Sequence, residues 1–186
     1  MLNTTALRTK PTLEGDRVRL VPMVERHAEP LFGLVGDDEL RRLTGTHAEF
    51  TLDGLRAWCA GRAGQDDRLD LVIEDRATGA FLGDLALLDV DAHNETAGFR
   101  IALDPRFAGQ GLGTEATRLL LAYAFDEIGL HRVELEVFDF NERAIRSYRK
   151  NGFVEEGRRR DALLWAGERH DAITMAALRR TPSSID

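Results

Sequence analysis

Apolar positions recur along the chain with two periods. Val18, Leu20 and Pro22 alternate with Arg17, Arg19 and Val21, which predicts a first strand. Ala28, Leu31, Phe32 and Val35 then follow helical spacing, with Pro30 tolerable only in the first turn. Thr51 suits an N-cap for a second helix carrying Leu52, Leu55, Trp58 and Cys59 on one face, which makes Cys59 a core residue. Three apolar runs come next, Leu69–Ile73, Phe81–Leu88 and Gly98–Leu103, separated by short polar breaks that predict an antiparallel meander. After a glycine-rich loop, Ala116, Leu119, Leu120, Tyr123 and Ala124 share a helix face, and Gly129 serves as its C′ residue. The strand Val133–Phe138 and a helix from Asn141 to about Lys150 complete one β-α-β crossover. Phe153–Val154 and the runs 161–165 and 171–178 read as closing strands, the last two joined by a turn at Ala166-Gly167. The order is that of an α/β (α+β) chain, a single domain over 13–179 with loose ends at 1–12 and 180–186.

Composition narrows the possibilities. Of 186 residues, 43% are hydrophobic and 31% charged, the profile of an ordinary globular chain. The net charge of −7 opposes general nucleic-acid binding and mildly favours a cationic partner. The only cysteine, Cys59, allows no disulfide framework and fits a reducing, cytoplasmic setting. Residues 1–12 hold no apolar signal segment, and the longest apolar run, Leu119–Phe125, is far below the roughly 20 residues of a membrane span. The five histidines show no metal-ligand spacing, so no metal is expected.

The loop Ala108-Gly109-Gln110-Gly111-Leu112-Gly113-Thr114 carries the first chemical signal. It follows a strand and opens a helix. Glycines at alternate positions let backbone N–H groups converge, and the helix adds its unpaired first-turn N–H groups and the positive end of its dipole. The product is an anion site suited to a diphosphate. No lysine lies in or near the loop, which excludes a P-loop. The relaxed dinucleotide pattern G-x-G-x-x-[GA] is met by Gly111–Ala116, with Glu134 about 20 residues on. Only about 70 residues remain after the loop, too few for the further β-α units of that fold, and the preceding meander has no place in it.

The second signal is the helix from Asn141. Tyr148, seven positions on, returns to nearly the same face roughly 10 Å along the axis, so one face offers an amide and then a phenol, with small Ala144 beside them. Glycine loop, crossover strand and Asn…Tyr helix together resemble the GNAT N-acetyltransferase superfamily over about residues 16–179. The runs His131–Val137, Asn141–Ile145 and Gly167–Asp171 are similar to its branch that acetylates N-termini of ribosomal proteins.

The resemblance implies a mostly antiparallel seven-stranded sheet flanked by helices, with a V-shaped splay between its two central strands. It implies acetyl-coenzyme A as donor, lying between Gly98–Leu103 and Val133–Phe138. The pyrophosphate would rest on Gly109, Gln110, Gly111, Leu112, Gly113 and Thr114, and the pantetheine on the backbone around Ile101 and Leu103 and on the Asn141 side chain. A primary amine, a protein or peptide N-terminus in the first place, would attack the thioester directly, with Tyr148 protonating the leaving thiolate. Polyamines, aminoglycosides or other small amines are the alternative acceptors, a non-catalytic acyl-coenzyme A sensor is the alternative class, and a homodimer is compatible. Neither nucleic acid nor membrane is implied as a partner.

Two positions depart from the family pattern. Ala108 stands where Arg or Gln is usual, and Thr96 stands where the branch carries a glutamate that helps deprotonate the amine. Glu95, His93, Glu136 or ordered water remain as general bases. Arg146, Arg149 and Lys150 are better placed than Arg158–Arg160 for the cofactor's 3′-phosphate, and Trp165 and His170 flank the hairpin near the acceptor.

Overall fold

The structure, a computed structural model, describes residues 2–179. Eight strands form one sheet among the described residues: β1 (Leu13–Glu14), β2 (Val18–Pro22), β3 (Leu69–Asp75), β4 (Phe81–Asp91), β5 (Thr96–Leu103), β6 (Arg132–Phe138), β7 (Val154–Trp165) and β8 (Glu168–Leu178). Their order is β1-β2-β3-β4-β5-β6-β8-β7, and only the β5–β6 pair is parallel. The expected sheet of seven is extended by the two-residue β1, whose Leu13 pairs with Leu20.

Strand alternation sorts the core into two layers. Leu20, Leu71, Leu85 and Phe99 face α5 (Leu112–Ala122) and α6 (Glu142–Lys150). Val21, Val72 and Ala102 face α2 (Ala28–Val35), α3 (Asp38–Thr44) and α4 (Leu52–Ala60), where Cys59 is fully buried as its helical spacing predicts. Burial pushes the Cys59 thiol up to about 11, so it stays protonated near neutral pH. The predicted caps are present. Gly54 N–H donates to Thr51 Oγ1 at 3.1 Å. The helix that begins as α5 continues as a π-helical segment, Tyr123–Ile128, and ends at Gly129 with φ +88°.

Three features go beyond the sequence reading. Within the described part of the expected loose end, residues 2–12, Thr4–Thr9 form α1, Ala6 and Leu7 are buried, and Tyr123 Oη donates to Ala6 C=O at 2.7 Å. Lys10 Nζ donates to the carbonyls of Gln65 and Arg68, each at 2.6 Å, which anchors the segment from its other end. Six residues carry too little periodicity to reveal such a helix, since tertiary contacts rather than propensity hold it. The second difference is β7. It is one strand through residues 154–165, kept in register with β8 by irregularities between Glu155 and Gly157 and between Arg159 and Leu163, where Asp161 takes φ +54°. The third is α3, absent from the pattern reading, capped by Asp37, whose Oδ1 accepts from Leu40 N–H at 2.8 Å, and closed by Gly45 at φ +64°. The expected loose tail, 180–186, lies outside the described residues.

Candidate active site

The two central strands pair only at Thr96–Arg132, Ala97–Val133 and Gly98–Glu134. Beyond Gly98, β5 stays bonded to β4 alone, and beyond Glu134, β6 stays bonded to β8 alone. A register shift in the β4–β5 ladder between Leu88 and Asp91 sits beside the last shared pair, and such bulges bend and twist a strand. The result is the predicted splay, with the inner backbone edges of residues 99–103 and 135–138 turned to a gap. A cleft of about 1170 Å³ occupies that gap and reaches both faces of the sheet, from Gly111 and Tyr148 on one to Trp58 and Phe50 on the other.

On the α5–α6 face the glycine loop forms a wall. Gly109 and Gly111 have φ +78° and +83°, and a Cβ on either would meet nothing within 4 Å, so their backbones border open space. Glu115 N–H makes an early intrahelical bond, to Gly111 C=O at 3.0 Å, which leaves the first-turn N–H groups of Leu112, Gly113 and Thr114 without helical acceptors. Gly113 packs near Ile101 and Leu103 of β5. Glu115 is itself a buried anchor. Its Oε1 accepts from Arg17 N–H at 2.9 Å, and Arg17 Nη1 donates to Gln110 C=O at 2.7 Å, which ties the loop to β2.

The site residues expected from sequence divide accordingly. Ile101, Leu103, Gly109, Gly111, Gly113, Thr114, Asn141 and Tyr148 all line the one cleft. Gln110 is exposed and does not line it, and the Leu112 side chain belongs to the core, so either residue has only backbone to offer there. Thr114 Oγ1 and Ser147 Oγ are 2.8 Å apart, joining the start of α5 to α6. Asn141 caps α6, with Ala144 N–H donating to its Oδ1 at 3.2 Å, and its Nδ2 has no hydrogen bond among the described residues. Tyr148 is 8% exposed, edge-on to Phe99 and beside Phe153. Burial pushes its phenol well above the ordinary value.

The candidate bases fare differently. His93 lies in the exposed turn after β4, its N–H donating to Asp91 Oδ1. Glu95 precedes the paired end of β5, where its carbonyl accepts from His131 N–H and Arg132 N–H. Neither lines the cleft, whereas Glu136 does, with its carboxylate held by Arg159. Arg158 is paired with Asp171 and Asp139. Arg146 and Lys150 reach the cleft wall and Arg149 pairs with Glu155. Trp165 packs on His47 and His170 on Phe140. Sequence reasoning missed the residues of the other face, Trp58, Arg68, Asp84 and Arg100, which also line the cleft. The available signal was Asp84, a charge inside the apolar run Phe81–Leu88.

Residues 17–154 match the family described as Acetyltransferase (GNAT) domain. The SPbeta prophage-derived uncharacterized N-acetyltransferase YokL of Bacillus subtilis is 26% identical over 149 residues, covering 80% of this chain and 83% of that protein. A second Bacillus subtilis protein, named "Putative ribosomal N-acetyltransferase YdaF", is 34% identical over 102 residues, 55% of this chain and 56% of its own. The crystal structure of spermidine N-acetyltransferase from Vibrio cholerae in complex with CoA and spermine shares the fold at TM-score 0.82 and 22% identity, covering 89% of this chain and 97% of that one. The chain belongs to the GNAT family of acetyl-coenzyme A N-acetyltransferases.

Proposed function

We propose that the chain moves the acetyl group from acetyl-coenzyme A to the N-terminal amine of a peptide or protein, with both substrates bound at once. The observation that carries this reading is a cleft that opens on both faces of the sheet, so that donor and acceptor can meet in the splay from opposite sides. On the donor side, the amides of residues 109–114 would hold the diphosphate, as expected from their free N–H groups and the α5 dipole. The unpaired edge of β5 at Ile101 and Leu103 would bond the pantetheine as a neighbouring strand does, joined by Asn141 Nδ2. An N–H of that edge would polarise the thioester carbonyl. Tyr148, protonated and with no hydrogen bond from its hydroxyl among the described residues, would donate its proton to the thiolate as it leaves. Removal of the amine's proton falls to ordered water, since Glu95 and His93 are away from the cleft and Glu136 is engaged by Arg159.

On the acceptor side the cleft is lined by the loop after α3, through Thr46, Glu49 and Phe50, and His47 of that loop packs on Trp165 of the β7–β8 hairpin with ring centroids 4.9 Å apart. Such a loop suits an extended chain end. A thiol-release assay with acetyl-coenzyme A and a panel of peptides, spermidine and aminoglycosides tests the reading. Turnover is expected with peptides. Tight donor binding with no release across the panel would make the protein a sensor, and turnover confined to spermidine or aminoglycosides would replace the acceptor.

A further inference from the structure

Beneath the acceptor side of the cleft, three guanidiniums share two carboxylates around one indole. Asp70 on β3 and Asp84 on β4 are 2% and 1% exposed. Asp70 stands opposite Ala86, and Ala86 opposite Arg100, so Asp70 and Arg100 share the face turned to α4. Arg68 grips Asp70 with Nε and Nη2, both at 2.7 Å, and Arg62 Nη1 lies 3.9 Å from the same carboxylate. Arg100 Nη2 lies 2.8 Å from Asp84 Oδ2 and 3.7 Å from Asp70 Oδ1. All three guanidiniums surround the Trp58 ring, at 4.4 Å for Arg62 and 6.0 Å for Arg68 and Arg100.

In direct contact three guanidiniums face two carboxylates, while Asp67 and Asp89 act on Arg68 from farther away. The surplus is not sealed away. The Arg100 side chain is 39% exposed and Arg68 24%, and both line the cleft, Arg100 only two residues beyond the last β5–β6 pair. Two other carboxylates line the cleft wall, Glu136 beside Arg159 and Glu49 beside Arg41, both with exposed side chains.

We propose that Arg100, backed by Arg68, is an anion subsite of the acceptor groove, and that the preferred acceptor is a peptide N-terminus with Asp or Glu at its first or second residue. This rests on the peptide reading above. A guanidinium fork at the mouth of the splay can take a side-chain carboxylate in two parallel hydrogen bonds, a geometry that an amide or an ammonium on the acceptor does not satisfy. The same positive charge beside the incoming amine favours its neutral, attacking form.

The test compares kcat/KM for peptides identical except for Asp or Glu, Asn or Gln, or Lys at positions one and two, with spermidine alongside, in the wild type and in Arg100→Gln. The acidic peptides are expected to exceed their amide counterparts by about tenfold or more, and the ratio to fall to about one in the variant. Equal rates for acid and amide peptides, or a preference that survives Arg100→Gln, would overturn the subsite while leaving peptide acetylation intact. Turnover of spermidine with none of any peptide would remove both readings. If Arg100→Gln no longer binds acetyl-coenzyme A and has misfolded, the wild-type ratio measured from about 50 to about 500 mM salt decides instead: it should shrink as the ions screen, and a constant ratio rejects the subsite.

Discussion

Tyr148→Phe is expected to lower kcat by about 10²–10⁴-fold, the usual contribution of a positioned proton donor, while acetyl-coenzyme A affinity stays within about twofold. The substitution removes one oxygen from a ring held by Phe99 and Phe153, so the packing that fixes the ring survives. The phenol makes no hydrogen bond within the described protein, so no buried partner is orphaned by its loss. The direction of the pKa shift adds a second readout. Burial raises the phenol above its ordinary 10.0, so the acid form persists as pH rises through the range where a free tyrosine ionises. The alkaline limb of the wild-type kcat profile should therefore show no loss with the midpoint of an ordinary tyrosine. Stopped-flow or steady-state thiol release across pH 6–10 checks both statements, the range being about that of a usable assay. An unchanged kcat in Tyr148→Phe would end its role as the acid.

Gly111→Glu is expected to weaken acetyl-coenzyme A binding by on the order of 100-fold or more, because it sets a carboxylate against the diphosphate at the head of α5. Gly111 has φ +83° and caps that helix, so any side chain there is strained by about 1–2 kcal/mol. Strain of that size does not unfold a domain, and a negative charge at a helix N-terminus favours the helix itself. Gly111→Asn separates the two effects. Asparagine tolerates the left-handed region and brings no charge, so it should retain far more affinity than Gly111→Glu. Calorimetric titration with acetyl-coenzyme A, with circular dichroism to confirm the fold, gives the answer. Near-normal affinity in Gly111→Glu would mean that the loop does not hold the phosphates.

Features legible in the sequence are those with a local cause. The alternation at Val18–Pro22, the cap at Thr51, the left-handed Gly129 and the Ala166-Gly167 turn, with φ +48° and +87°, each follow from a few adjacent residues. The glycine loop and the Asn141–Tyr148 spacing belong to the same class, since one strand-to-helix turn and one helix face determine what they present. Elements that depend on distant partners escaped. The helix at Thr4–Thr9 exists because Tyr123 and the 65–68 segment receive it. The continuity of β7 depends on β8, which accepts its extra residues as bulges. The helix at Asp38–Thr44 was readable in principle, from Asp37 before it and Gly45 after it.

The acceptor side escaped for a different reason. Arg62, Arg68, Asp70, Asp84 and Arg100 come from four separate stretches, and no spacing announces that they converge on Trp58. The net charge of −7 sums the whole surface and says little about the field inside one cleft. It mildly favoured a cationic acceptor, whereas the charges at the mouth of the splay have guanidinium groups in excess.

The splay has a consequence for the energetics of the empty protein. Five residues of one central strand and four of the other face each other across a gap where a continuous sheet would have ladder bonds. A bound molecule that supplies the missing bonds binds the native chain and has nothing equivalent to bind in the unfolded one. A donor bound there as proposed would act as a folding ligand as well as a reactant, and the resistance of this fold to heat or proteases is expected to rise with the donor concentration around it.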